Sequence, residues 1–186
     1  MRITGGVARG IPLTAPKGAS LRPTSDRVRG ALFQIVRDAV EGARALDLYA
    51  GTGALGIEAL SRGAASCDFV EQDGRLCQAI RQNLERAGFS DKGQVHRARV
   101  EQALRFLKGP FQLVLLDPPY ALAGAAEIMD GLGRLPLLAQ EAVVVLEHGS
   151  RDAVQEDYGG LHMKTQRKYG DTSLSVYALT PSEEGT

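Results

Sequence analysis

The chain is poor in the residues that carry chemistry on their own. Its 186 residues include two cysteines, Cys67 and Cys77, and three histidines, His96, His148 and His162. The cysteines are not spaced as a metal or redox motif and the histidines are scattered, so nothing here organises a metal centre. Each cysteine reads as a small buried apolar residue, which suits a reducing compartment. No apolar run approaches the roughly 20 residues of a bilayer span, and Met1-Arg2-Ile3-Thr4-Gly5-Gly6 lacks the apolar core of a signal peptide. The expectation is a cytoplasmic protein with no membrane partner. Internal repeats and low-complexity segments are absent as well.

Net charge is lacking overall, with 22 basic and 22 acidic residues, but it is unevenly spread. Residues 1–37 hold Arg2, Arg9, Lys17, Arg22, Arg27, Arg29 and Arg37 against Asp26 alone, which makes that end +6 and the rest −6. Such one-sided charge suits contact with a polyanion such as nucleic acid.

What is present is an alternation of strand and helix patterns. Residues 1–24 are rich in glycine, proline and basic residues and read as a small β-hairpin extension outside the main core. A helix begins near Ser25, capped by Thr24 or Ser25, with Val28, Leu32, Ile35, Val36 and Ala39 as its apolar face and Arg27 or Arg29 projecting from its first turn. Strands are expected over 45–50, 67–71, 95–98, 111–116, 142–146, 163–168 and 173–179, with helices over 54–62, 73–87, 101–107 and 124–132 between them. Gly88 is placed to stop the third helix in a left-handed turn. Continuous apolar strands alternating with helices make an α/β, Rossmann-like, mostly parallel seven-stranded sheet covered on both faces. The last two strands add an antiparallel edge. The domain spans 25–180, and 181–186 is a flexible polar tail.

Gly51, Gly53 and Gly56 follow the first core strand and open a helix in the spacing G-x-G-x-x-G. Glycines there allow a tight turn and close approach of a ligand to the backbone. Glu71 lies 20 residues after Gly51, at the end of the second strand, where a carboxylate can accept hydrogen bonds from both ribose hydroxyls of an adenosine. A nicotinamide dinucleotide and S-adenosylmethionine share that ribose logic. Asp47 favours the second, because an anion beside the loop suits a sulfonium and an ammonium and opposes a pyrophosphate.

Asp117-Pro118-Pro119-Tyr120 directly follows the most apolar strand, facing the same crevice. The lone pair of an exocyclic amine on a nucleobase is delocalised into the ring. A carboxylate (Asp117) and a carbonyl (Pro118), each accepting one N–H, turn that lone pair toward an incoming methyl and stabilise the charge that develops on nitrogen. The prolines stiffen the turn, and Tyr120 offers a stacking face to a base extruded from its helix. No metal is needed. Glu147-His148 also ends a strand on the presumed crevice side.

Together these residues closely resemble the RsmD family of 16S rRNA guanine-N2 methyltransferases, over nearly the whole chain. The resemblance is carried by Arg2-Ile-Thr-Gly-Gly6 with Arg9-Gly10, Leu21-Arg-Pro-Thr-Ser-Asp-Arg-Val28, Ala31-Leu-Phe33, the stretch Asp47 to Gly63, Asp117 to Tyr120, and Lys168-Tyr-Gly-Asp-Thr172. It implies a class I S-adenosylmethionine-dependent methyltransferase fold and methylation of one guanine in 16S rRNA of the assembled small ribosomal subunit, with S-adenosylhomocysteine as product. By analogy Asp47, Ala50, Gly51, Thr52, Gly53, Gly56 and Glu71 hold the cofactor. Asp117, Pro118, Pro119 and Tyr120 hold the guanine amine, and Arg2, Arg9, Arg22, Thr24 and Arg27 contact RNA. The chain departs from the family at Arg97-Ala98-Arg99-Val100-Glu101, where many members carry an acidic residue near the adenine amine; no side chain is assigned to adenine. An adenine-N6 methyltransferase on DNA or RNA is the alternative enzyme, because the same tetrapeptide serves both amines. A non-catalytic RNA-binding assembly factor is the alternative outside enzymes. The absence of an apolar surface helix fits a monomer.

Overall fold

A computed structural model describes residues 1–18, 25–119 and 124–180. Arg22, Thr24, Tyr120 and the tail 181–186 lie outside them. The strands are β1 (Arg44–Leu48), β2 (Ser66–Glu71), β3 (Gly93–Arg97), β4 (Phe111–Leu116), β5 (Leu138–Gly149), β6 (Asp157–Tyr158), β7 (Leu161–Tyr169) and β8 (Thr172–Leu179). They form one sheet in the order β3-β2-β1-β4-β5-β8-β7-β6. The first five strands pair in parallel, and β8 runs antiparallel between β5 and β7. Among the described residues the sheet has eight strands where seven are expected. The addition, β6, is a two-residue ladder against β7, too short to show any alternation in sequence.

The helices are α1 (Asp26–Ile35), α2 (Ala54–Ser61), α3 (Gly74–Ala87), α4 (Val100–Ala103) and α5 (Ala125–Arg134). They cover both faces, which is why the strands read as unbroken apolar runs. Ala45, Phe69, Leu113, Leu115 and Val145 pack toward α1, α2 and α3. Leu46, Leu48, Val70, Val114, Leu116 and Leu146 pack toward α4 and α5. Ser25 caps α1, its hydroxyl accepting the Val28 N–H at 3.2 Å. Gly88 ends α3 at φ 77. Cys67 and Cys77 are both buried.

Three local expectations are corrected. The helix α1 ends at Ile35, a 3-10 turn follows over Arg37–Ala39, and Phe33 takes a core position. Arg29 does not project: its side chain is fully buried, bonded to Asp26 at 2.7 Å and to the Arg2 carbonyl, and paired with Glu58 at 3.3 Å. It follows Val28 and precedes Leu32 by three residues, so helical geometry places it at the margin of the buried stripe, where Glu58 holds its charge.

The third correction is that the N-terminal segment joins the core. Residues 1–13 fold back on themselves through the bridge Arg2↔Pro12, with Ile3, Ala8 and Leu13 buried in the cluster shared with α1, α2 and α3. Two helices hold the segment. Glu58 of α2 accepts the Thr4 N–H at 2.9 Å and its hydroxyl at 2.7 Å, and Ser61 accepts the N–H groups of Val7 and Ala8. From α3, the buried Asn83 accepts the Thr14 N–H at 2.9 Å and donates at 3.0 Å to the carbonyls of both Thr14 and Thr52. One buried amide thus ties the N-terminal arm to the glycine loop.

Candidate active site

The reversal of strand order between β1 and β4 opens a crevice at the carboxyl ends of the strands, the usual ligand position in such sheets. A cavity of about 1300 Å³ fills it, larger than the roughly 300–1,000 Å³ of a pocket for one small ligand.

The glycine loop supplies one wall. Leaving β1, the backbone enters the left-handed region at Tyr49 (φ 61), Gly51 (φ 57) and Gly53 (φ 80). For the tyrosine that conformation costs about 1–3 kcal/mol. Asp47, Tyr49, Ala50, Gly51 and Thr52 all line the cavity. Gly53 and Gly56 do not border it. Gly53 caps α2 and packs on Ile57 and Ile80, and a Cβ on Gly56 would sit 2.3 Å from the Phe69 ring. The latter is the close helix-to-strand packing that a third glycine permits.

Two carboxylates brace this loop from within. Asp47 is 1% exposed and accepts the Gly56 N–H at 2.8 Å. Burial pushes its carboxyl well above the usual carboxylate range. The Gly56 hydrogen bond pulls it back, and the charges of Asp117 and Glu71 push it up further. Glu71 accepts the Gly51 N–H at 2.9 Å through one oxygen and the Asp73 N–H at 2.9 Å through the other. Each carboxylate oxygen has a second lone pair to offer a ligand.

Beside the loop, at the end of β4, stand Asp117 and Pro118, both half-buried, and Pro119, which is exposed. All three line the cavity, and the Asp117 N–H still reaches Leu48 of β1 at 3.5 Å. From β5, Glu147 and His148 join the wall. The His148 Nδ1 donates to the Gly149 carbonyl at 2.9 Å, so in the neutral ring Nε2 is the acceptor, receiving the Ser175 hydroxyl at 2.8 Å. Burial lowers its pKa. The ring is a fixed neutral strut.

Several lining residues escape a reading of the sequence alone. Tyr49 and Glu101 both line the cavity, and burial first, then the negative charge of Glu101, push the tyrosine pKa up to about 12. Arg99 lines the same region. Tyr169, Asp171 and Thr172, from the turn between β7 and β8, close another side. That motif is visible in sequence, but only the sheet order shows which site it reaches. Of the basic residues assigned to RNA, Arg2, Arg9 and Arg27 are exposed.

Carboxylates from four strand ends, Asp47, Glu71, Asp117 and Glu147, on the cavity beside a glycine loop fit a cationic adenosine ligand and oppose a pyrophosphate. The volume leaves room for a second planar group beside it. Comparison with known proteins agrees. The family described as conserved hypothetical protein 95 matches residues 1–178. Ribosomal RNA small subunit methyltransferase D of Escherichia coli strain K12 is 38% identical over 180 residues, 95% of this chain and 89% of that one. YlbH of Bacillus subtilis is 34% identical over 180 residues, covering 95% of this chain and 98% of that one. The solved structure of yhhF from Escherichia coli superposes with a TM-score of 0.86 at 32% identity, covering 97% of this chain and 98% of that one. On its sequence and its sheet, the chain belongs to the RsmD family of methyltransferases.

Proposed function

We propose that the protein transfers a methyl group from S-adenosylmethionine to the exocyclic N2 of one guanine in 16S rRNA, within the assembled small subunit in the cytoplasm, acting as a monomer. The observation that carries this reading is the placement of the Asp117-Pro118 edge and the glycine loop on one cavity. The cofactor supplies an electrophilic methyl carbon on a sulfonium. The Gly51 backbone allows its close approach, Glu71 accepts its ribose hydroxyls, and the negative charge of Asp47 and its neighbours favours a cation over a neutral product. Asp117 and the Pro118 carbonyl each accept an N–H of the guanine amine and hold its lone pair in line. The Asp117 carboxylate would take the one proton that the amine nitrogen sheds on methylation. His148 cannot take that proton directly, because both ring nitrogens are engaged. Tyr120 stacks on the extruded base, and Arg2, Arg9, Arg22, Thr24 and Arg27 contact the RNA.

Asp117→Asn separates chemistry from binding. Its kcat on small subunits lacking the modification is expected to fall by about 10²–10³, while calorimetric affinity for S-adenosylhomocysteine stays within about threefold. Equal loss of turnover and cofactor affinity would contradict the assigned role.

A further inference from the structure

A second carboxylate borders the acceptor edge. β4 and β5 run parallel and in register as far as Leu116↔Leu146, so the next residues, Asp117 and Glu147, lie side by side at about the 4.8 Å spacing of neighbouring strands. Leu116 and Leu146 both point into the cluster beneath α4 and α5. Side chains alternate along a strand, so Asp117 and Glu147 turn together to the opposite face. Both line the cavity, and Glu147 is only 9% exposed. Its backbone is firmly held, paired with Leu174 of β8. The following His148 is locked by Ser175, which in turn accepts Gln166 at 3.0 Å.

We infer that Glu147 accepts the N1–H of the target guanine and is the residue that selects guanine over adenine. The inference rests on the proposed methylation of N2. On the pairing edge of guanine, the N2 amine and N1–H are adjacent donors, and two adjacent carboxylates match them. On adenine the N6 amine sits beside N1, a lone-pair acceptor. The same amine grip by Asp117 would then force that lone pair against the nearly buried Glu147 carboxylate. An extruded base is read through this edge, and a buried polar group left facing the wrong partner rejects an analogue far more strongly than a shape mismatch does.

The test uses small subunits reconstituted from ligated rRNA carrying either guanine or 2-aminopurine at the methylated position. 2-Aminopurine keeps the N2 amine but has an acceptor at N1. The wild-type enzyme is expected to prefer guanine in kcat/KM by at least about 10²-fold. In Glu147→Gln, whose amide can donate to N1, the preference should shrink by at least about tenfold, with guanine turnover falling and 2-aminopurine turnover rising. Glu147→Ala should lose guanine turnover without that gain. A wild-type enzyme that accepts both bases equally would overturn the inference. So would an unchanged ratio in Glu147→Gln, or a Glu147→Gln protein inactive on both bases yet binding S-adenosylhomocysteine normally. A wild-type enzyme that methylates neither base would instead overturn the proposed reaction itself.

Discussion

A carboxylate buried as deeply as Asp47 holds its proton more tightly in the folded protein than in the unfolded chain, because burial raises its pKa above the ordinary value near 3.8. The sign of the consequence follows. Between the unfolded and folded pKa values the native state binds more protons, so stability falls as pH rises through that window. Asp47→Asn keeps an acceptor for the Gly56 N–H and removes the charge. Thermal melts from about pH 4 upward should show a flatter decline for this variant, with Tm at neutral pH equal to or above that of the wild type. Its affinity for S-adenosylmethionine should drop about tenfold or more, since an opposite charge at close range is removed. A large loss of Tm with unchanged affinity would make Asp47 a structural brace alone. The sequence places Asp47 beside the glycine loop. Its enclosure is set by β2, β4 and α2 together, which no local pattern reveals.

At the scale of elements, α2 serves two neighbours at once. Its N-terminus begins at the glycine loop, and its buried Glu58 and Ser61 hold the N-terminal arm. Gly56 lets it sit tightly on β2. Gly56→Ala adds a carbon 2.3 Å from Phe69 and 2.7 Å from the Cys67 sulfur, and overpacking of this kind costs about 1–3 kcal/mol. That outweighs the gain of about 1 kcal/mol in helix propensity. Thermal unfolding is expected to shift down by several degrees, and an unchanged Tm would show that α2 lifts freely. Asn83→Ala leaves the Thr14 N–H and the Thr52 carbonyl without their partner, a loss of about 1–3 kcal/mol. The KM for RNA should rise more than the Kd for cofactor, because Thr14 loses its partner at both N–H and carbonyl, whereas the loop loses one contact, at Thr52, and keeps Glu71 on Gly51 and Asp47 on Gly56. Equal changes in both would remove the proposed link. Most elements are legible in the sequence because long apolar runs and 3.6-residue periodicity are local signals. The N-terminal arm reads from sequence as lying outside the core because the spacing of Ile3, Ala8 and Leu13 matches neither the strand nor the helix period, and they are buried only when the chain brings α1, α2 and α3 against them. The burial of Arg29 is hidden for a related reason: its partner Glu58 belongs to another helix.

Over the whole molecule the neutral sum conceals a basic end and an acidic remainder. Folding turns Arg29 inward and leaves Arg2, Arg9 and Arg27 exposed on the arm and the start of α1. Met1, Gly18, Ser25 and Val28 from the same region border the cavity, so the basic face lies next to the site. Replacing Arg2, Arg9 and Arg27 by glutamine should weaken binding to small-subunit RNA. The slope of log affinity against log salt should fall by about 0.7–0.9 for each phosphate no longer neutralised. Cofactor affinity should not move, and an unaltered salt slope would place the RNA elsewhere. The glycine loop and the Asp117 turn are both readable as motifs, whereas their meeting on one cavity depends on the sheet order. Whether that meeting does the proposed chemistry is tested most directly by the nucleoside it produces. Small subunits lacking the modification, treated with the protein and S-adenosylmethionine, should yield N2-methylguanosine at a single position of 16S rRNA by mass spectrometry. N6-methyladenosine, or no methylated nucleoside from a protein that binds the cofactor, would contradict it.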